Sequence, residues 1–423
     1  MSYKTYNNYK DSNIDWIKEI PTTWSISRVK NISLIKSGES PKFDENGQYD
    51  VIGANGKIGK TNRFNVSTNH IIIGRVGASG SVNISPEFAF ISDNAFILNL
   101  NKNVDLKYSF YLFKALDMDR LINKNAQPLL TATQIKNLFI PHTTLEEQQQ
   151  IANYLDKKTA KIDATIAKNE ELIQLLEEKR VALINQVVTK GLNPDVPMKD
   201  SGVEWIGEIP EHWDFIPVDK FSSLITDYVA NGSFASLREN VEYLDEENYA
   251  ILVRLIDNSN NFNGPFVYIS EESYAFLSKT KLQKGDIILA NIGATLGTVF
   301  KVPDLGRPMS LGPNVLLIRF DNKINGEYFL NLIDSNIGKC FIDSITTQTT
   351  QPKFNKTELR KLRILHPPLN EQEQINNEIN DINTSINTPI IKIKEQIVLL
   401  EEYKTSLIHH VVTGKIDVRS EEI

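Results

Sequence analysis

Residues 173–189 read IQLLEEKRVALINQVVT, and residues 397–413 read IVLLEEYKTSLIHHVVT. Ten of these 17 positions are identical at an offset of 224. Both stretches are rich in Leu, Ile, Val, Glu and Lys, without Gly or Pro, which is helix composition. A long helix therefore occurs twice, and the chain is read from the start as a duplication. Working outward, the same offset holds for Gln127-Pro128 against Gln351-Pro352, and for Leu145-Glu146-Glu147-Gln148 against Leu369-Asn370-Glu371-Gln372. Further upstream, DSNIDWIKEIPTTW (11–24) returns as DSGVEWIGEIPEHW (200–213), with eight of 14 positions identical at an offset of 189. The order is domain, helix, domain, helix. The second domain holds 35 more residues, the difference between offsets 224 and 189.

The expected boundaries are a first domain over 1–144, a helix over 145–190, a linker and second domain over 191–368, a helix over 369–413 and a tail over 414–423. Thr143 and Thr144 before Glu146 and Glu147 suit a helix start, and Gly191 and Pro194 suit its end. The apolar residues keep a heptad spacing. One seam position takes Leu155, Ile162, Asn169, Leu176 and Leu183; the other takes Ala152, Thr159, Ile166, Ile173, Arg180 and Val187. Adding 224 gives Ile379, Ile386, Ile393, Leu400 and Leu407, then Asn376, Asn383, Ile390, Ile397, Lys404 and Val411. Two helices with one seam are expected to pair as a coiled coil. Asn169, Arg180 and Lys404 interrupt that seam, through register control or by reaching to solvent. Pro389 is expected to kink or break the second helix near Thr388.

The chain has 423 residues and a net charge of −7. No run is apolar and long enough for a membrane span. Met1–Asn13 lacks the apolar stretch of a secretion signal. The single cysteine, Cys340, cannot form an internal disulfide, and a reducing cytosol fits. The charge is uneven: residues 1–144 hold 17 Lys/Arg against 12 Asp/Glu, whereas residues 200–368 hold 16 against 22. Only the first domain is basic. If the whole chain binds DNA, basic partner subunits are expected to neutralise much of the phosphate charge.

Both domains read as mixed α/β. HIIIGRV (70–76), FILNL (96–100), DIILANI (286–292) and VLLIRF (315–320) are strand-like. Glycine-rich turns follow two of them, at 74–80 and 291–297, and suit either tight hairpins or close approach to an anion. Arg75 and Ser79 stand in the first, Asn291 and Thr295 in the second. Residues 53–61, GANGKIGKT, approach a Walker A loop, but Ala54 stands where its first glycine is required. Asn55, Lys57, Lys60 and Arg63 suit nucleic acid better, with a solvated basic hairpin as the plain alternative. Polar candidates elsewhere are Gln127, Arg254, Arg307, Gln348 and Gln351, since such side chains contact bases or phosphates. No methyltransferase tetrad, methyl-donor loop or metal-ligand cluster is found, so catalysis has no evident home.

The ordered set of Trp16–Trp24, its copy Trp205–Trp213, Tyr49–Gly56, Gly285–Ala290 and the Leu-x-Glu-Gln helix starts resembles the specificity subunits of type I restriction-modification enzymes. That resemblance covers nearly the whole chain. It implies two target-recognition domains related by duplication and joined by two long antiparallel coiled-coil helices. Each domain would read one half of a bipartite, asymmetric target in double-stranded DNA, and the helices would set the spacer. It implies two methylation subunits and restriction subunits that translocate and cut. The methyl donor, ATP and Mg are expected on those partners, with no cofactor on this chain. A coiled-coil scaffold without a DNA-reading role is the alternative, and the recognition half of a single-chain restriction-methylation enzyme is a third.

Overall fold

The computed structural model describes residues 3–14, 16–116, 118–121, 129–347 and 349–420. It divides into two units, one formed by Met1–Glu171 with Ile393–Ile423 and the other by Leu172–Lys392. The long helices, Leu145–Lys190 and Leu369–Val412, each give one half to each unit. Among the described residues no helix is long and apolar enough to cross a membrane.

The first unit is built on β1 (Ser33–Ser37), β2 (Tyr49–Gly53), β3 (Gly56–Thr61), β4 (Ile71–Gly74), β5 (Val82–Ile84), β6 (Phe90–Ile91) and β7 (Ala95–Leu100). One sheet has the order β1-β7-β4-β5 and a second the order β3-β2-β6, with β2 and β6 parallel. Ile71, Ile72 and Ile73 are fully buried, as an unbroken apolar run in a central strand requires.

The second unit repeats this plan with β8 (Ser222–Asp227), β9 (Ala250–Val253), β10 (Tyr268–Ile269), β11 (Lys281–Leu282), β12 (Ile287–Ala290), β13 (Val299–Lys301), β14 (Met309–Leu311) and β15 (Val315–Phe320). Its sheets run β8-β15-β12-β13 and β10-β9-β14-β11, with β9 and β14 parallel. Corresponding residues date the insertions. The offset grows from 189 at the domain start to 216 at Ile71 and Ile287, 220 at Ala95 and Val315, and 224 at Leu129 and Lys353. So 27 of the 35 extra residues enter before β12, where the first unit has only the β2–β3 hairpin.

The kept motifs are framework. Trp24 and Trp213 are 1% and 0% exposed. Gln148 and Gln372, from the two Leu-x-Glu-Gln starts, are both fully buried. Each accepts a backbone N–H, from Asp105 at 2.9 Å and Asn325 at 2.7 Å. Each also donates to the carbonyl five residues back, Thr143 at 2.7 Å and Pro367 at 2.8 Å. A buried amide satisfied on both sides clamps the first turn of the long helix to its domain.

The second long helix runs unbroken through Pro389, contrary to the expectation of a break. Proline removes one N–H from the ladder, leaving the Ser385 carbonyl without its usual donor. Ile386 and Ile390, on either side, are 5% and 6% exposed in the core of the second unit. Their burial holds the turn in place.

Candidate nucleic-acid interface

In the first unit, the end of β4 carries the loop 75–81. Gly74 faces Ala95 at the start of β7, and Phe96 faces Ser37 at the end of β1, so the flanking loops gather at one end of the sheet. The loop is tightly made. Ser79 Oγ donates to the Arg75 carbonyl at 2.8 Å, and Gly80 N–H to the Gly74 carbonyl at 2.8 Å. Arg75 is half-buried, its guanidinium 5.6 Å from the centre of the Phe96 ring. Leu129 and Leu130 join from the far side through a bridge to Val76 and a 3.1 Å N–H bond to the Arg75 carbonyl.

Residues 53–61 are a two-residue hairpin and its second strand, not a loop. Gly56 takes φ +107°, which a side chain would resist, and this turns the chain back at once. Ser81 Oγ donates to the Ala54 carbonyl, so the turn at Ala54 and Asn55 docks on the 75–81 loop that carries Arg75 and Ser79. A bulge at Ile58 sets Lys57 opposite Ile52 and Lys60 opposite Asp50. Partners two apart share a face, so the bulge puts both lysines on one side. Lys57 is ion-paired to Asp50 at 2.6 Å. Lys60 and Arg63 are exposed, Lys60 on the strand and Arg63 past its end, away from the turn. Gln127 lies outside the described residues.

The second unit uses the same end of its sheet. Ala290 faces Val315 and Asp227 faces Leu316, so the loops 291–298 and 312–314 and the segment after β8 meet there. Asn291 Nδ2 donates to the Phe354 carbonyl at 2.9 Å, and Gly293 N–H to the Pro352 carbonyl at 2.9 Å. These bonds lace the 291–298 loop to residues 352–354, with Thr295 and Gln351 exposed. Arg254 stands at the end of β9, beside Gly312. Arg307 does not join them. It precedes β14, at the opposite end from Gly312, where it binds the Asn248 carbonyl at 2.7 Å, Glu247 and the face of Tyr268. Gln348 lies outside the described residues.

A groove of about 810 Å³ opens beside the 312–314 loop, lined among others by Tyr228, Phe234, Arg238, Tyr243 and Pro313. Burial, with a hydrogen bond from Tyr243, raises the Tyr228 pKa. Phe234 is 79% exposed. Sequence reasoning passed over this segment; a phenylalanine directly after the capping Ser233 was the available signal.

Along the helices, Leu155, Ile162 and Leu407 are buried in the first unit, with Ile166 and Leu400 packed against that core. Ile386 and Ile390 are buried in the second, with Ile173, Leu176 and Leu183 against them. Ile393 and Ile397 are half-buried.

The type I restriction modification DNA specificity domain model matches residues 21–174 and 232–398. The chain belongs to that family. It is 26% identical to a Methanocaldococcus jannaschii protein assigned as the MjaX type I restriction enzyme specificity subunit, over 97% of this chain and 98% of that one. Identity to the MjaVIII specificity subunit of the same organism is 25%, again over 97% and 98%. In fold, the family member resembles the HsdS subunit from Thermoanaerobacter tengcongensis, with a TM-score of 0.55, 14% identity, and 94% and 98% of the two chains covered. A chain solved in work on complex assembly and conformational transition of the type I R-M system gives a TM-score of 0.68 at 14% identity, covering 94% and 99%.

Proposed function

We propose that this chain is the specificity subunit of a type I restriction-modification enzyme and reads a bipartite DNA target, one half-site per unit. The observation that carries this is the paired loop cluster: two units of one plan present different polar side chains at the same sheet end. Major-groove edges are distinguished by such side chains. The long helices form an antiparallel coiled coil that fixes the spacer. Two contacts support this. Lys404 Nζ donates to Asp163 Oδ1 in the first unit, at 2.5 Å, and Arg180 Nη1 to Asn387 Oδ1 in the second, at 2.9 Å. An offset of 224 turns Arg180 into Lys404 and Asp163 into Asn387, so the same contact is made twice. The cations that interrupt the seam thus reach across to the opposite helix.

The chain itself carries no catalytic step. It works in the cytoplasm with two methylation subunits that hold the methyl donor, and with restriction subunits that use ATP and Mg. The acidic second unit leaves phosphate neutralisation largely to those partners.

The test produces this chain with its methylation subunits in a host free of adenine methylation and maps the modified adenines. A single bipartite sequence should be methylated, and only when this chain is present. Methylation of the same sites without the chain would overturn the proposal.

A further inference from the structure

The end of β9 carries a charged pair that framework packing does not explain. Asp257 is buried, its side chain 1% exposed, and both of its oxygens serve Arg254. Oδ2 accepts the Arg254 backbone N–H at 2.7 Å, and Oδ1 accepts from Nη2 at 3.1 Å. One bond anchors the Arg254 backbone and the other ties the guanidinium through Nη2, so the side chain is aimed from its base and near its tip. Its side chain is nevertheless 32% exposed, and its Nε is buried without a hydrogen-bond partner. With its guanidinium tied through Nη2 and about a third of its side chain open to solvent, the residue can still offer donors to a ligand. Gly312 keeps the pair close: a Cβ there would come within 2.7 Å of the Val253 carbonyl oxygen and 3.1 Å of Arg254 Cγ.

The first unit shows what this position is. Gly312 N–H donates to the Val253 carbonyl at 2.8 Å, and Ser92 N–H to the Ile52 carbonyl at 2.9 Å. Both bonds join the parallel strand pair of their unit at its loop end. Arg254 therefore stands where the first unit has Gly53, the start of the hairpin turn that docks beside Arg75. One framework position carries a bare turn in one reader and a clamped arginine in the other.

We propose that Arg254 reads a guanine in the half-site of the second unit and that Asp257 is its positioning residue; this rests on the DNA-reading function above. A guanidinium fork matches guanine O6 and N7 with two parallel bonds, and a side chain already tethered through Nη2 loses less entropy on binding.

The test maps the methylated motif with the whole enzyme in cells. Arg254→Ala should relax one guanine position of one half-site, with about a 10–100-fold loss of preference there. The other half-site and the spacer should stay as they were. Asp257→Asn, which keeps a hydrogen-bond acceptor, should relax the same position less. An unchanged motif in Arg254→Ala overturns the inference while leaving the DNA-reading function standing. A wild-type chain that directs no motif overturns that function instead. If Arg254→Ala methylates nothing, Arg254→Lys decides, since it keeps the charge and lacks the fork. Relaxation at one guanine supports reading, and a wild-type motif with lysine shows a phosphate contact and overturns it.

Discussion

The two units share a scaffold and differ where they would meet DNA. In the scaffold, Gln148 and Gln372 make matching bonds, and so do Tyr108 and Tyr328, whose hydroxyls donate to the Pro141 and Leu365 carbonyls at 3.3 and 3.1 Å. At the loop end, Gly53 becomes Arg254 and Arg75 becomes Asn291, and 27 residues are added beside them. The charge differs too, with 17 Lys/Arg against 12 Asp/Glu in residues 1–144 and 16 against 22 in residues 200–368. The largest insertion falls in elements that do not hold the long helices. A duplicated protein can change one reader without disturbing the other, because the clamps to the helix lie outside both readers.

The strongest way to break this division of labour is to alter the helices and leave both readers intact. Asp163 faces Lys404, so in an antiparallel pair Asn169, six residues on, faces Val398, six residues back. Seven residues inserted at each of these two points keep the heptad in phase and add about 10 Å of helix. That is about three base pairs. The methylated motif should keep both half-sites and gain about three positions of spacer. Changed half-sites with a fixed spacer would mean that the helices touch bases and that scaffold and reader are not separate.

A second test asks whether the scaffolds are energetically alike. Trp24 and Trp213 are equally buried, and in each the indole N–H lacks a hydrogen-bond partner. Each tryptophan→Ala change should cost about 3–5 kcal/mol through the cavity it leaves. The Phe variants should cost less, because the orphan donor leaves with the indole. Denaturant titration of the four variants reads this directly. A cost below about 1 kcal/mol at one site only would show that the two framework positions bear different loads.

Much of the scaffold was legible in the sequence, because repetition at a fixed offset needs no knowledge of packing. The two long helices, the mixed α/β class and the strand runs all follow from spacing and composition. The readers were less legible, for reasons specific to each residue. Lys57 and Lys60 sit three apart in the sequence, and only the bulge at Ile58 places them on one face. Arg307 and Arg254 look alike in the sequence; one is tied to Asn248 and Glu247 at the far end of the sheet, the other to Asp257 at its loop end. Pro389 signalled a kink or a break, and the helix is not broken there, with Ile386 and Ile390 buried on either side. Local rules failed where long-range contacts decide.

The smallest expected effect concerns one amide in the seam. Asn169 occupies the position that Leu155, Ile162, Leu176 and Leu183 fill along the same helix, and that Ile393 fills in the other. Its Nδ2 is buried and has no hydrogen-bond partner. A buried donor left unmade costs about 1–3 kcal/mol, so Asn169→Leu should raise stability by about 1 kcal/mol after the loss of any favourable amide contact. The reverse change, Ile393→Asn, should lower it by at least as much, since it removes a packed side chain and adds a polar one. A lone polar residue in a heptad seam otherwise serves to fix register. If Asn169 does so here, the leucine variant is more stable yet directs methylation at more than one spacer length. A single unchanged spacer would leave the register to the cross-helix pairs of Lys404 and Arg180. A leucine variant less stable than the wild type would mean that the amide is satisfied after all, and that the seam differs between the two helices by design of the packing and not by a tolerated defect.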